Sequence, residues 1–221
     1  MNRLAKTLLL CIGVFPALSL AAPLKGQVSF TGADSNEPQP DYGDTVVFFR
    51  PDALAKVQPT AGAAMTMVGK SFSPHVLAVT VGSSVRFPNG DPIFHNAFSP
   101  SAPNDFDLGL YDTGDGKTHQ FQHPGLVHVY CNVHRDMFAY VLVLDTPYFA
   151  KVQDDGSFDL LLPAGAGELT VWNPRTQIWH RRLPGSAPAP LDVQLVVNQF
   201  GVPEHMNKEG KPYGKHRLPG G

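Results

Sequence analysis

The amino-acid sequence predicts an all-β protein on the basis of three observations. Short runs of β-branched and aromatic residues recur at intervals of about 8–12 residues, a spacing typical of β-sandwiches. The 21 glycines and 21 prolines make up close to a fifth of the 221 residues, against an ordinary share of about 12%, and they favour turns between short strands. Hydrophobic residues form 43% of the chain, enough for a packed core, and helical periodicity is almost absent.

The predicted strands run along most of the chain. Residues 52–69 hold the one helix-like stretch, which Pro59 and Gly62 limit to a turn or two. From about residue 201 onward the sequence has little apolar periodicity, so we expect a mobile tail. Strands are predicted at 27–31, 44–50, 72–80, 84–87, 106–111, 126–130, 138–144, 157–162, 168–172, 178–181 and 191–197.

The N-terminus has the features of a secretory signal peptide. Arg3 and Lys6 precede an apolar run over residues 8–20, and small residues lead to a cleavage site after Ala21. The run is shorter than the roughly 20 apolar residues that a membrane span needs, and no other segment is a candidate. We therefore expect cleavage of residues 1–21, a periplasmic location and no stable membrane insertion; the alternative is an uncleaved anchor.

Cleavage changes what the cysteines can do. Cys11 leaves with the signal peptide, so Cys131 is the only cysteine of the mature chain. In an oxidising compartment a lone thiol pairs between molecules, reacts or binds a metal. The formal net charge of the full chain is −2, which excludes a strongly basic, nucleic-acid-binding protein.

Cys131 begins a short motif of side chains that bind soft metals. His134 and Met137 follow it at three-residue steps, and His95 lies upstream after a turn rich in proline, asparagine and glycine. A thiolate, two imidazoles and a weak thioether form the ligand set of a blue-copper electron-transfer site. Each residue alone has an ordinary explanation as a core or surface side chain, but the ordered set predicts one mononuclear type 1 copper. Zinc is disfavoured because the mature chain would offer one cysteine, and a thioether is a poor zinc ligand.

Residues 70–145 resemble the cupredoxin family. The resemblance rests on the strand-turn-strand sequence of residues 79–87, on His95 with Asn96, and on the Cys-x-x-His-x-x-Met loop, whose short spacing is similar to that of amicyanin. It implies a Greek-key β-sandwich in which copper is held by His95, Cys131, His134 and Met137. It also implies that Asn96 lies beside the ligands and ties the two ligand loops together by hydrogen bonds.

The flanking segments carry a second resemblance. Residues 26–28, 154–158 and 162–165 are similar to carboxypeptidase-regulatory or transthyretin-like β-modules. The cupredoxin sandwich would then be inserted in such a module, and the whole chain resembles bacterial periplasmic methylamine-utilisation-type cupredoxin proteins. The expected division is a signal peptide (1–21), a flanking β-module (22–69 and 146–200), a cupredoxin domain (70–145) and a mobile tail (201–221).

The motif and the resemblance predict a periplasmic blue-copper electron-transfer protein and not an enzyme. One copper would cycle between Cu(I) and Cu(II). A redox protein, as donor or acceptor, would dock near His134. The expected docking surface is an apolar patch, for which the alternative is ordinary core packing: Pro92, Ile93, Phe94 and Phe138.

Two other classes of protein stay open as alternatives. Copper oxidases and nitrite reductases need a second, catalytic copper; His119, His123 and His128 are close in sequence but match no common ligand motif. A copper carrier without a redox role usually has several methionines or cysteines, and few remain after cleavage. The tail residues His205, Met206 and His216 would bind copper weakly, although a solvated tail is the simpler interpretation.

Overall fold

The computed structural model describes residues 22–32, 38–53, 56–185, 189–198 and 206–211. In these ranges the secondary structure is β apart from one 3-10 turn, Tyr42–Asp44, so the predicted all-β class is confirmed. The predicted signal peptide, with Cys11, and most of the tail lie outside the described residues. Within those ranges, no helix combines the length and the apolar composition needed to span a membrane.

The described part of the chain contains sixteen strands. The first eight are β1 (Ala22–Thr31), β2 (Val46–Pro51), β3 (Thr66–Val68), β4 (Ser71–Ser73), β5 (Val76–Thr80), β6 (Ser84–Asn89), β7 (His95–Ser99) and β8 (Phe106–Tyr111). The other eight are β9 (Gly114–Gln120), β10 (Gly125–Tyr130), β11 (Phe138–Leu144), β12 (Phe149–Lys151), β13 (Ser157–Leu162), β14 (Gly167–Trp172), β15 (Trp179–Leu183) and β16 (Leu191–Val196).

Strands β3 to β11 form an inner unit of two sheets. One sheet has the order β5-β11-β10-β7-β8 and the other has the order β4-β3-β6-β9. Buried side chains from both sheets, such as Phe87, Val129 and Val141, pack in one hydrophobic core. Cys131 and Met137 belong to the same core. The inner unit is thus a β-sandwich, as the resemblance to cupredoxins implies, and two of the predicted ligands lie in its interior.

Strands from before and after the inner unit form an outer pair of sheets. In one sheet β1 lies between β13 and β16, and in the other the order is β12-β2-β14-β15. The inner unit therefore interrupts the outer one in the chain. β3 lies before the boundary expected between residues 69 and 70, but it pairs with β4 and β6 of the inner unit. The domain boundaries and the type of the outer module stay predictions.

A third buried cluster joins the two units. Phe48 and Trp172 of the outer unit pack against Tyr140 and Leu142 of β11, and the rings of Tyr140 and Trp172 meet edge to face with centroids 5.8 Å apart. Because side chains alternate along a strand, the neighbouring Val141 of β11 lies in the inner core instead. β11 is thus packed on both faces, and it begins directly after Met137.

Two expectations about local structure are wrong. Among the described residues between 52 and 69 there is no helix; the fully buried Met65 and Met67 alternate with more exposed neighbours, which is the two-residue period of an extended chain. The strand predicted at 72–80 is two strands, β4 and β5. Pro74 lies between them, and it has no N–H to donate to a β-ladder.

One glycine is required for the close approach of β6 and β9. Gly116 has a φ of +72°, and a Cβ atom added there would lie 1.8 Å from the carbonyl oxygen of Phe87. The register between the strands shifts immediately afterwards, between Phe87 and Asn89. The side-chain amide of Asn89 donates to the carbonyl of Ile93 at 2.8 Å, so this irregular stretch leads into the loop before His95.

Gly116→Ala is therefore expected to destabilise the protein more than Gly62→Ala. Both glycines have similar positive φ angles, but nothing lies within 4 Å of a Cβ added at Gly62. Gly62→Ala should cost about 1 kcal/mol from backbone strain alone, and Gly116→Ala should cost clearly more because a backbone carbonyl must move. Urea unfolding of the metal-free protein measures both values, and equal losses would contradict the assigned close contact.

Candidate metal centre

The structure brings together three of the predicted ligands. His95, Cys131 and His134 each offer a ligand atom, and these atoms lie within 4.8 Å of one another. The Sγ atom of Cys131 is 3.9 Å from Nδ1 of His95, and the two imidazole rings meet edge to face with centroids 5.0 Å apart. His95 and Cys131 are fully buried, whereas His134 is half-buried. This donor set suits a transition metal ion.

Pairing between β7 and β10 brings the ligands together across a long stretch of sequence. His95 is the first residue of β7, and Cys131 directly follows Tyr130, the last residue of β10. Tyr130 is paired with Phe98 in an antiparallel register. Because such a register runs in opposite directions in the two strands, the residues after Tyr130 lie beside the start of β7.

The ligand loop from Cys131 to Met137 is closed by its own backbone. The N–H of Cys131 donates to the carbonyl of Met137 at 3.0 Å, and the N–H of Met137 donates to the carbonyl of His134 at 3.1 Å. The N–H of Val133 points at the Cys131 sulfur from 3.4 Å, where it stabilises negative charge. Met137 is buried in the same core as Cys131, so both sulfur-bearing side chains of the loop lie on its inner side.

Asp91 fixes the orientation of the His95 ring, a role that the sequence pattern did not predict. Its carboxylate accepts from His95 Nε2 at 2.8 Å, and from the backbone N–H groups of Gly69 and Lys70. The hydrogen bonds from Lys70, His95 and Gly69 lower the pKa of Asp91 to about 2. A carboxylate at Nε2 keeps the proton on that nitrogen, so that the lone pair of Nδ1 is directed towards the Cys131 sulfur.

Asn96 ties the two ligand segments together, as the resemblance implies. Its side-chain oxygen accepts from the backbone N–H of Asn132 at 3.2 Å. Its side-chain NH₂ donates to the Asp107 carboxylate at 2.8 Å and to the Gly109 carbonyl at 3.0 Å. Asn96 is almost fully buried, and all of these bonds reach segments distant in the sequence. The residue beside His95 is thus bonded to the residue beside Cys131.

Of the three histidines weighed as ligands of a second copper, His119 and His128 make ring contacts, and His123 is hydrogen-bonded through its backbone. The His119 ring stacks on Phe106 with centroids 4.4 Å apart, and burial lowers the pKa of His119. Burial also lowers the pKa of His128, whose ring meets Tyr140 edge to face. The backbone of His123 bonds to the Asn104 side chain. Of the tail residues, Met206 is exposed, while His205 and His216 lie outside the described residues.

Three residues of the predicted apolar patch lie on the surface. Pro92, Ile93 and Phe94 are exposed in the loop that leads to His95, and 57% of Phe94 is accessible to solvent. The fourth, Phe138, is half-buried and meets the rings of His75 and Tyr140 edge to face. The apolar patch on the surface is therefore defined as Pro92, Ile93 and Phe94, without Phe138.

Comparison with known proteins finds similarity among solved structures. No protein-family model matches the chain, and no curated protein matches it. A purple cupredoxin from Nitrosopumilus maritimus is 26% identical over 37% of this chain and 99% of its own, with a TM-score of 0.34. A reduced Cu(I) form of an amicyanin variant is 18% identical over 44% of this chain and 98% of its own, with a TM-score of 0.36.

A copper-containing nitrite reductase from Thermus scotoductus is 24% identical over 53% of this chain and 28% of its own, with a TM-score of 0.37. Likeness at these TM-scores carries no weight for the function of this chain. The functional interpretation therefore rests on the geometry of the candidate centre.

Asn96→Ala is expected to weaken metal binding by about 10- to 100-fold, the usual effect of removing a partner that orients a metal site. Asn104→Ala is the matched control, because Asn104 is also buried and also holds a loop through its side chain, but bonds to His123. Competition titrations with Co(II) and Cu(II) measure both affinities. Equal losses of affinity in the two variants would contradict a specific role for Asn96.

Proposed function

We propose that the chain is an electron-transfer protein with one type 1 copper held by His95, Cys131, His134 and Met137. The observation that carries the proposal is the convergence of a buried thiol and two imidazoles within 4.8 Å at the end of two paired strands. When bound, copper would supply a one-electron Cu(I)/Cu(II) couple. The residues around the site would select the metal and hold its ligands in place.

The donor set favours copper over zinc. Structural zinc sites are usually completed by four cysteine or histidine ligands, and catalytic ones keep a position open for water. Here the loop supplies a single thiol, and the next sulfur along it is the Met137 thioether, which is buried. Thioethers are soft ligands that suit Cu(I), while imidazole suits both oxidation states of copper.

The protein around the ligands favours an unchanged arrangement in both oxidation states. Cys131 binds as thiolate and releases its proton when the metal binds, and the Val133 N–H stabilises the remaining charge on sulfur. Asp91 holds the His95 ring, and Asn96 holds the two segments together. Full burial of His95 and Cys131 keeps bulk water away from the donor atoms. Little then has to reorganise when an electron enters or leaves.

We propose His134 and the apolar patch as the place where electrons enter and leave. His134 is half-buried, so its ring connects the interior of the site with the surface. Val133, next to it, is 38% exposed, and the patch extends from the opposite ligand segment. A small apolar surface of this kind suits a transient redox partner. With the predicted signal peptide, the working place of the protein would be the periplasm.

The alternative is a copper-binding carrier with no redox role. It would use the same ligands, but it needs to release its metal readily. The closed ligand loop and the buried hydrogen bonds at Asp91 and Asn96 favour retention of the metal, and therefore electron transfer. A carrier would give up its copper rapidly to a chelator and would show no stable redox cycle.

Copper loading is expected to give intense visible absorption from thiolate-to-Cu(II) charge transfer, bleached by a reductant and restored by an oxidant. Cys131→Ala should abolish the absorption and leave the β-fold intact by circular dichroism. His123→Ala is the control, because the contacts of His123 to Asn104 use its backbone, and it should keep the colour. A colourless, redox-silent complex of the unaltered protein would contradict the proposal.

Phe94→Asp is expected to slow electron self-exchange between oxidised and reduced copper protein by at least about tenfold, because a charge would have to be desolvated at the contact. Leu161→Asp is the matched control: Leu161 is also exposed, but it lies on β13 of the outer unit. NMR line broadening in mixtures of the two redox states gives the rates. An unchanged rate for Phe94→Asp would show that the patch is not the contact surface.

A further inference from the structure

A closed ring of four hydrogen bonds connects the C-terminal segment with the ligand loops. The backbone N–H of Lys208 donates to Oδ1 of Asn132 at 3.0 Å, and its Nζ donates to Oδ2 of Asp107 at 2.8 Å. Asn96 donates to Oδ1 of the same carboxylate at 2.8 Å. The N–H of Asn132 closes the ring by donating to Oδ1 of Asn96 at 3.2 Å.

The ring contacts the metal centre at the residues directly beside two ligands. Asn96 follows His95, and Asn132 follows Cys131. Asn132 uses its backbone N–H towards Asn96 and its side-chain oxygen towards Lys208, so the position of the ligand loop depends on both neighbours. Asp107 likewise accepts from Asn96 with one oxygen and from Lys208 with the other. Lys208 therefore connects the two ends of the series of hydrogen bonds that runs from Asn132 through Asn96 to Asp107.

The C-terminal segment is attached through Lys208. Residues 206–211 form a turn of their own, in which the Asn207 side chain accepts from the backbone of Glu209 and Lys211. In the described part of the chain, the hydrogen bonds from this segment to the rest of the protein come from Lys208. A cavity of about 910 Å³ lies alongside, lined by Met206 of the segment and by Phe98 and Tyr130 of the inner unit.

The ion pair in the ring is partly shielded from solvent. The side chain of Lys208 is 31% exposed and that of Asp107 is 40% exposed. The hydrogen bond to Asp107 raises the pKa of Lys208. Burial acts to raise the pKa of Asp107, but hydrogen bonds from Lys208, Gly109 and Asn96 outweigh it and lower that pKa. Both groups are therefore charged near neutral pH.

We propose that Lys208 is a positioning residue of the metal centre, which holds the Cys131 loop against the His95 strand through Asn132 and Asp107. The inference rests on the proposed copper site for its effect on metal release, but not for its effect on the motion of the loop. An ion pair that is still about one third accessible to solvent adds little to global stability, so the effect should appear in the loop and leave the unfolding midpoint almost unchanged.

The test compares Lys208→Met with Lys211→Met, which removes the same charge from the same turn. In the metal-free protein, NMR hydrogen exchange at the amides of Asn132 and Val133 should be about two- to fivefold faster in Lys208→Met. In the copper-loaded protein, transfer of Cu(I) to a chelator should accelerate by a similar factor. Lys211→Met should match the unaltered protein in both measurements. Lys208→Arg keeps the charge, so its rates of hydrogen exchange and Cu(I) transfer should stay close to those of the unaltered protein.

Salt gives an independent arm of the same test. At 1 M NaCl the Debye length is about 3 Å, so the difference between the unaltered protein and Lys208→Met should shrink. Equal exchange rates in Lys208→Met and Lys211→Met would overturn the proposal, and so would an effect matched by an equal loss of global stability. If the chain fails to bind copper, the proposed function fails, while hydrogen exchange in the metal-free protein still decides the role of Lys208.

Discussion

Burying a thiol and an imidazole inside a β-sandwich costs free energy unless the polar atoms around them have hydrogen-bond partners. This constraint governs the candidate centre. Asp91 accepts a hydrogen bond from Nε2 of His95, and the Val133 N–H points at the Cys131 sulfur. Both the oxygen and the NH₂ group of the Asn96 side chain are hydrogen-bonded. The same contacts that make burial tolerable also fix the direction of each donor atom. The same set of hydrogen bonds therefore accounts for both the burial and the preorganisation of the ligands.

The larger architecture holds this local arrangement in place. The ligand loop ends directly before β11, and that strand is packed on one face by the inner core and on the other by side chains of the outer unit. The outer unit therefore acts as a support behind the strand that carries the loop. On the opposite ligand segment, the loop before His95 is held by Asn89 and Asp91. The ligands are placed by parts of the chain that are far apart in sequence.

The sequence was sufficient for the all-β class and for the three converging ligand residues, because the Cys-x-x-His spacing and the upstream histidine are unusual together. It did not predict β7, since His95–Ser99 is buried along its whole length and lacks the alternation by which strands are recognised. Asp91 resembles an ordinary turn residue in its Asn-Gly-Asp-Pro context, and Lys208 lies in a polar segment that resembles a solvated tail. Contacts between distant segments leave no local pattern.

X-ray absorption spectroscopy at the copper edge, on the loaded protein in both oxidation states, tests the proposed electron-transfer centre most directly. We expect one sulfur and two nitrogen donors at short distance in Cu(I) and in Cu(II), with nearly the same distances in both. The same measurement on Cys131→Ala should lose the short sulfur contribution. A ligand shell without that sulfur in the unaltered protein, or one whose members change between the two states, would contradict an electron-transfer centre organised by the fold.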